Sequence, residues 1–163
     1  MPETQESQLT HVDNNGEANM VDIGHKSVSQ RIARASGFIT MNQQTLELVK
    51  ANQIQKGDVF SVAKIAGILS AKKVDALIPL CHSLPLDSVF VECEIKDGGI
   101  LVRAEARTTS KTGVEMEALM AVSISCLTIY DMCKASQKDM NIENIRLDFK
   151  SGGQSGTYVR KDK

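Results

Sequence analysis

The chain has no tryptophan and only four phenylalanines and two tyrosines in 163 residues. That poverty argues against an extended base-stacking surface of the kind used by single-strand and RNA binders. Neither sign of charge is in excess: nineteen Lys and Arg stand against twenty Asp and Glu, a formal net charge of -1. No global field therefore draws the chain to nucleic acid or to an acidic membrane. Its three histidines, His11, His25 and His82, lack metal-ligand spacing, so no metal site is expected. Cys81, Cys93, Cys126 and Cys133 form no C-x-x-C pair, and no signal-peptide pattern precedes them. Cys126 and Cys133 lie seven apart on one apolar stretch, which suggests buried thiols. The longest uncharged run, Ala118 to Tyr130, falls short of the roughly 20 residues that span a bilayer. These absences lead us to expect a reduced, soluble, cytoplasmic protein.

What is present fits one domain over residues 1–163, large enough to bury a core without disulfides or metal. Residues 1–19 are polar and aperiodic and read as a flexible tail. GFITM, 37–41, reads as a strand and NQQTLELVKA, 42–51, as a short helix. Asp58 is a good N-cap for a second helix, after which Val59, Phe60, Val62, Ala63, Ile65, Ala66 and Leu69 recur at helical spacing. CHSLP, held by Pro79 and Pro85, reads as a loop. Val89, Val91, Cys93 and Ile95 alternate with polar residues, as do Ile100, Val102, Ala104 and Ala106 across the turn Asp97-Gly98-Gly99, which makes a hairpin. A long helix over about 113–136 follows, then a strand through Ile145, Leu147 and Phe149, then the glycine-rich SGGQSG and a second flexible tail over 151–163. This order predicts a ferredoxin-like α+β fold: an antiparallel sheet with helices on one face and one extra helix.

The long helix concentrates the chemistry. Thr112-Gly113-Val114-Glu115 fits a capping box, which gives Glu115 a structural reason to exist. Glu117 has no such reason, and no charge follows it until Asp131 and Lys134, an i,i+3 pair whose plain reading is a solvated ion pair. Glu117 and Asp131 are fourteen residues apart, about 21 Å along a straight helix, so one small substrate cannot touch both from a single chain. A helix apolar on every face must also be covered on every face. Companion helices, a partner subunit or both would cover it, and the small residues Ala118, Ala121, Ser123 and Ser125 would permit close approach. An oligomer is therefore expected.

Three further groups carry weaker signals. Lys56-Gly57-Asp58 puts a lysine before a helix N-terminus, where amides attract anions. Lys150 opens a glycine-rich run, 150–156, whose amides could wrap a phosphate or simply form a tail. Ser110-Lys111-Thr112-Gly113 shares a fragment with a P-loop but lacks the preceding glycine. Cys81 and His82 are adjacent, and neighbours in sequence rarely point at each other, so a catalytic Cys-His pair is not inferred.

LTHVDNNGEANMVDIGHK, KGDVF, IPLCH, TGVEMEAL, LTIYDMCKA and KSGGQSG, in this order, resemble the MoaC family, the cyclic pyranopterin monophosphate synthases of molybdenum-cofactor biosynthesis. The likeness runs from about residue 9 to 156. Ser83 departs from it, where the family often has proline. The resemblance implies a lyase whose substrate is a cyclised dihydro-GTP and whose products are cyclic pyranopterin monophosphate and pyrophosphate. It implies hexamers, trimers of dimers with active sites at the dimer interface. It places catalytic roles on Asp131, Lys134 and Lys56, and substrate contacts on Leu80, Cys81, His82, Glu115, Met116 and Glu117; Lys150, at the head of the glycine-rich run, is added to the expected substrate-binding residues from its own sequence context. No redox cofactor is called for. Whether Lys26 or Arg31 closes over the triphosphate is left open. The rival readings are a non-catalytic nucleotide- or pterin-binding module and an RNA-binding ferredoxin-like domain, the latter opposed by charge balance and aromatic poverty.

Overall fold

The computed structural model describes residues 17–161. Of the expected N-terminal tail, 1–16 lies outside that range, and His11 with it. The chain runs β1 (Ser29–Thr40), α1 (Gln43–Lys50), α2 (Val59–Ala71), α3 (Val74–Leu77), β2 (Ser88–Lys96), β3 (Gly99–Ser110), α4 (Glu115–Cys133), β4 (Ile142–Ser151) and β5 (Tyr158–Val159). The strands form one antiparallel sheet in the order β2-β3-β1-β4-β5. Without β5 this is the expected ferredoxin-like order, with α2 and α4 as the principal helices and α1 and α3 as additions.

β1 begins eight residues before the expected strand. Arg31, Ala33, Ala35 and Ile39 alternate along its buried side, and Ala33 and Ala35 pair with Ala106 and Ala104 of β3. That floor of small side chains lets α4 lie low across β1, β3 and β4. The hairpin closes through Asp97-Gly98, with Gly98 at φ 75° as a two-residue turn requires. Asp58 caps α2 as expected, accepting from the amides of Phe60 and Ser61.

α4 is long and apolar enough to cross a membrane by length and composition, which the thirteen-residue run did not suggest. It is instead the core helix: Ala118, Ala121, Val122, Ser125, Cys126, Ile129 and Cys133 are fully buried. Of the expected covers, a companion helix takes this one: Ala121 and Ser125 meet α2 within the same chain. A Cβ on Gly67 of α2 would stand 2.8 Å from the Ala121 carbonyl oxygen. Ser125 donates to the Ala63 carbonyl at 3.0 Å and Ser70 to that of Met120 at 3.3 Å.

The C-terminal segment is also not the expected free tail. SGGQSG turns the chain back, so that Phe149 pairs with Val159 and Lys150 with Tyr158. The Arg160 amide closes the pairing on the Asp148 carbonyl at 2.8 Å.

Candidate active site

α4 begins at Glu115, with Val114 as its N-cap and no side-chain cap. The capping box is thus not formed, because Thr112 lies too far outside the helix. The Glu115 carboxylate folds back over Gly113, where any Cβ would collide with it, and meets Lys150 Nζ at 2.9 Å. Its partner is β4, not its own helix start.

Beside it, a cavity of about 410 Å³ opens between the first turn of α4, the loop after α3 and the segment before β1. Leu80, Cys81, His82, Met116, Glu115 and Glu117 line it, together with Val21, Ile23, Lys26, Leu84, Thr112 and Gly113. Glu117 is 4% exposed, and burial pushes its carboxyl up to about 7, its own backbone amide partly offsetting this and the negative charges of Glu115 and Asp75 adding to it. The Cys81 thiol is also raised, by burial first and then by Glu117 and Asp75, so it stays protonated and is a poor nucleophile. His82 turns away from it, its Nε2 bonded to the Val21 carbonyl at 2.8 Å.

A second cavity of about 570 Å³ adjoins the first and shares Lys26, Thr112, Gly113 and Glu115 with it. Four cations line it, Lys26, Arg31, Lys111 and Lys150, against the single carboxylate of Glu115. Arg31 enters from the buried side of β1. It donates through Nη2 to the Lys111 carbonyl at 3.2 Å, while its buried Nε has no partner among the described residues. The glycine turn closes over it: Gly153 adopts φ 74°, and a Cβ there would collide with the Arg31 guanidinium. Such a chamber suits a polyanion.

The remaining expected residues gather at the other end of α4. Asp131 Oδ1 meets Lys134 Nζ at 2.7 Å, and Asp131 Oδ2 meets Lys56 Nζ at 2.7 Å. Lys56 also donates to the Asp131 carbonyl at 3.1 Å, held there by the turn in which the Gly57 amide returns to Ile54. All three are about half exposed. Hydrogen bonds from Lys134 and Lys56 hold the Asp131 carboxyl at about 2, and Asp131 in turn raises Lys134. At neutral pH Asp131 and Lys134 are therefore a fixed ion pair. Between the two ends, α2 and α4 expose Val62, Ile65, Leu69 and Leu127, each 43% exposed or more. Among the described residues no group of three His, Cys, Asp or Glu could hold a metal ion.

The sequence profile of the MoaC family matches residues 20–153. A cyclic pyranopterin monophosphate synthase from Methylobacterium sp. (strain 4-46) is 53% identical over 155 residues, which cover 94% of this chain and 97% of that protein. The chain belongs to the MoaC family.

Of the expected substrate-binding residues, Leu80, Cys81, His82, Glu115, Met116 and Glu117, which the MoaC resemblance singled out, share one cavity, and Lys150 stands in the adjoining one. Asp131, Lys134 and Lys56 come together, yet at the opposite end of α4. The residues alone marked Lys150 with its glycine run and left Lys26 and Arg31 open, but gave Lys111 no role and did not bring the four cations together. Arg31 carries a visible signal, a charged side chain in phase with Ala33, Ala35 and Ile39, but it lies before Gly37, where the expected strand begins. Val21, Ile23 and Lys26 sit in VDIGHK, whose place against the α4 end is a long-range contact that no local pattern encodes.

Proposed function

We propose that this MoaC-family chain is a cyclic pyranopterin monophosphate synthase. It converts (8S)-3',8-cyclo-7,8-dihydroguanosine 5'-triphosphate to cyclic pyranopterin monophosphate and pyrophosphate in molybdenum-cofactor biosynthesis, as a lyase in the cytoplasm. One observation carries the reading on a chain 53% identical to such a synthase: a cavity bearing a buried, near-neutral carboxyl opens directly into a chamber of four cations. The two shapes match a base-derived ring and a triphosphate joined through a sugar.

In this reading the ring lies against Leu80, Cys81, His82, Met116 and Glu117, and the β- and γ-phosphates lie among Lys26, Arg31, Lys111 and Lys150. Rebuilding the ring needs proton transfers, and a carboxyl near 7 can give and take protons at neutral pH. Closing the cyclic phosphate needs a sugar hydroxyl to attack the α-phosphorus. The bond to the β-phosphate oxygen breaks, pyrophosphate leaves with that electron pair, and the hydroxyl proton passes to a base. Preorganised cations stabilise the charge on the leaving group.

Lys56, Asp131 and Lys134 complete the site from a second copy. The Glu117 and Asp131 ends of one α4 lie about 21 Å apart, but a two-fold axis that sets two α4 helices antiparallel brings the Asp131 end of one against the Glu117 end of the other. Val62, Ile65, Leu69 and Leu127 lie between those ends and would form the seam. Three such dimers make the hexamer. Incubation with freshly made substrate tests the reaction: pyrophosphate and a pterin fluorescent after oxidation should both appear. A ligand returned unchanged would mark a binding module instead, and a clean monomer on size exclusion would remove the shared site.

A further inference from the structure

The segment 20–26 has no regular structure, yet it is tied down at several points. His82 Nε2 meets the Val21 carbonyl at 2.8 Å, and Lys111 Nζ donates to the Gly24 carbonyl at 2.8 Å. Within the segment the Gly24 amide donates to Asp22 Oδ1 at 2.7 Å and the Lys26 amide to the Ile23 carbonyl at 3.1 Å. Val21 and Ile23 form one wall of the ring cavity, and Lys26 stands where the two cavities join.

We infer that this segment is a latched wall that works through His82: the Val21 carbonyl keeps the imidazole proton on Nε2 and leaves Nδ1 as the proton acceptor of the ring cavity. A carbonyl oxygen only accepts, so the Nε2 that meets it carries hydrogen. A neutral imidazole has one N–H, so its lone pair then lies on Nδ1. Among the described residues no donor engages Nδ1, and His82 lines the cavity beside Glu117 and Met116. The same contact fixes the ring's orientation and, with the Lys111–Gly24 bond, holds the wall closed, so that catalysis and closure share a hydrogen bond. The Val21 carbonyl and its segment are positioning elements, and His82 is the catalytic group.

The acceptor role rests on the reaction proposed above, whereas the latch does not. Two substitutions separate them. Glutamine carries its amide nitrogen to about the place of Nε2, so His82→Gln keeps the bond to Val21 but has no basic atom at Nδ1. Asparagine reaches only the Nδ1 position, so His82→Asn loses the latch. In the assembled protein, amide exchange at Gly24 and Lys26 should stay near wild type in His82→Gln and speed up about fivefold in His82→Asn. His82→Gln should lower kcat at least about 100-fold with KM little changed. Histidine labelled with 15N should show neutral His82 protonated at Nε2.

Equal loosening in both variants, or a neutral His82 protonated at Nδ1, overturns the latch. Wild-type kcat in His82→Gln overturns the acceptor role. A wild-type protein inert toward the substrate overturns the reaction instead, while exchange and tautomer still decide the latch.

Discussion

At its N-terminal end α4 closes two cavities, and Glu117, which lines the smaller one, is 4% exposed, whereas at its C-terminal end Asp131, Lys56 and Lys134 stand about half exposed around one another. The same chemical group behaves oppositely in the two places. Burial raises the Glu117 carboxyl to about 7, and neighbouring ammonium groups hold that of Asp131 at about 2. Proton traffic at neutral pH therefore belongs to the enclosed end and fixed charge to the open one. Each end lacks what the other has: the first a charge partner for its carboxyl, the second a cover that excludes water. An antiparallel pair of chains would supply both.

The largest expected effect breaks the open end. Lys134→Ala or Asp131→Asn should lower kcat by at least about 100-fold while the thermal midpoint hardly moves, because half-exposed ion pairs contribute little to folding. Steady-state kinetics beside a melting curve checks this. Retained turnover with a lowered midpoint would make the cluster structural.

A smaller effect sharpens the enclosed end. Gly153→Ala puts a Cβ at a positive φ against the Arg31 guanidinium, so the chamber of cations must deform. The substrate KM should rise about tenfold with kcat largely kept, and folding should lose at least about 1 kcal/mol. Unchanged KM would remove the triphosphate from that chamber.

The smallest effect concerns pH. Below about 4.5 Glu117 is protonated in both folded and unfolded chains and costs nothing. As pH rises toward about 7 the unfolded chain releases its proton first, so stability falls, and above that both forms are ionised and the loss is constant. Glu117→Gln should therefore match wild type near pH 4.5 and be more stable by up to about 3 kcal/mol near pH 8. Urea unfolding at the two values measures it. Lysines arriving from a second copy, as proposed, would favour the ionised carboxylate, so the gain should shrink under conditions that keep such an oligomer together.

Local rules made much of the fold legible. Alternation around Asp97-Gly98 located the hairpin, and Asp58 located the start of α2. They failed where long-range contacts decide. Thr112-x-x-Glu115 has the capping-box pattern, but Lys150, thirty-five residues away, draws off the carboxylate and the helix begins later. SGGQSG looks like a tail because the two-residue strand it turns back, Tyr158–Val159, is too short to show an alternation, and the first half of β1 is hidden by Arg31 and Arg34. For the site, helix geometry alone separated Glu117 from Asp131. That 80–82 meets 115–117 was implied only by the family resemblance, since loop-to-helix proximity leaves no mark in local spacing.

The claim that two chains build each site is tested most directly by mixing two variants broken at opposite ends of α4. Lys134→Ala and Glu117→Gln are each expected to be nearly inactive alone. Co-expressed in equal amounts, they should pair at random, and every mixed dimer would hold one site with both native residues. The mixture should then recover about a quarter of the wild-type rate. A mixture no more active than its parents would contradict the shared site and return Asp131, Lys134 and Lys56 to a structural role.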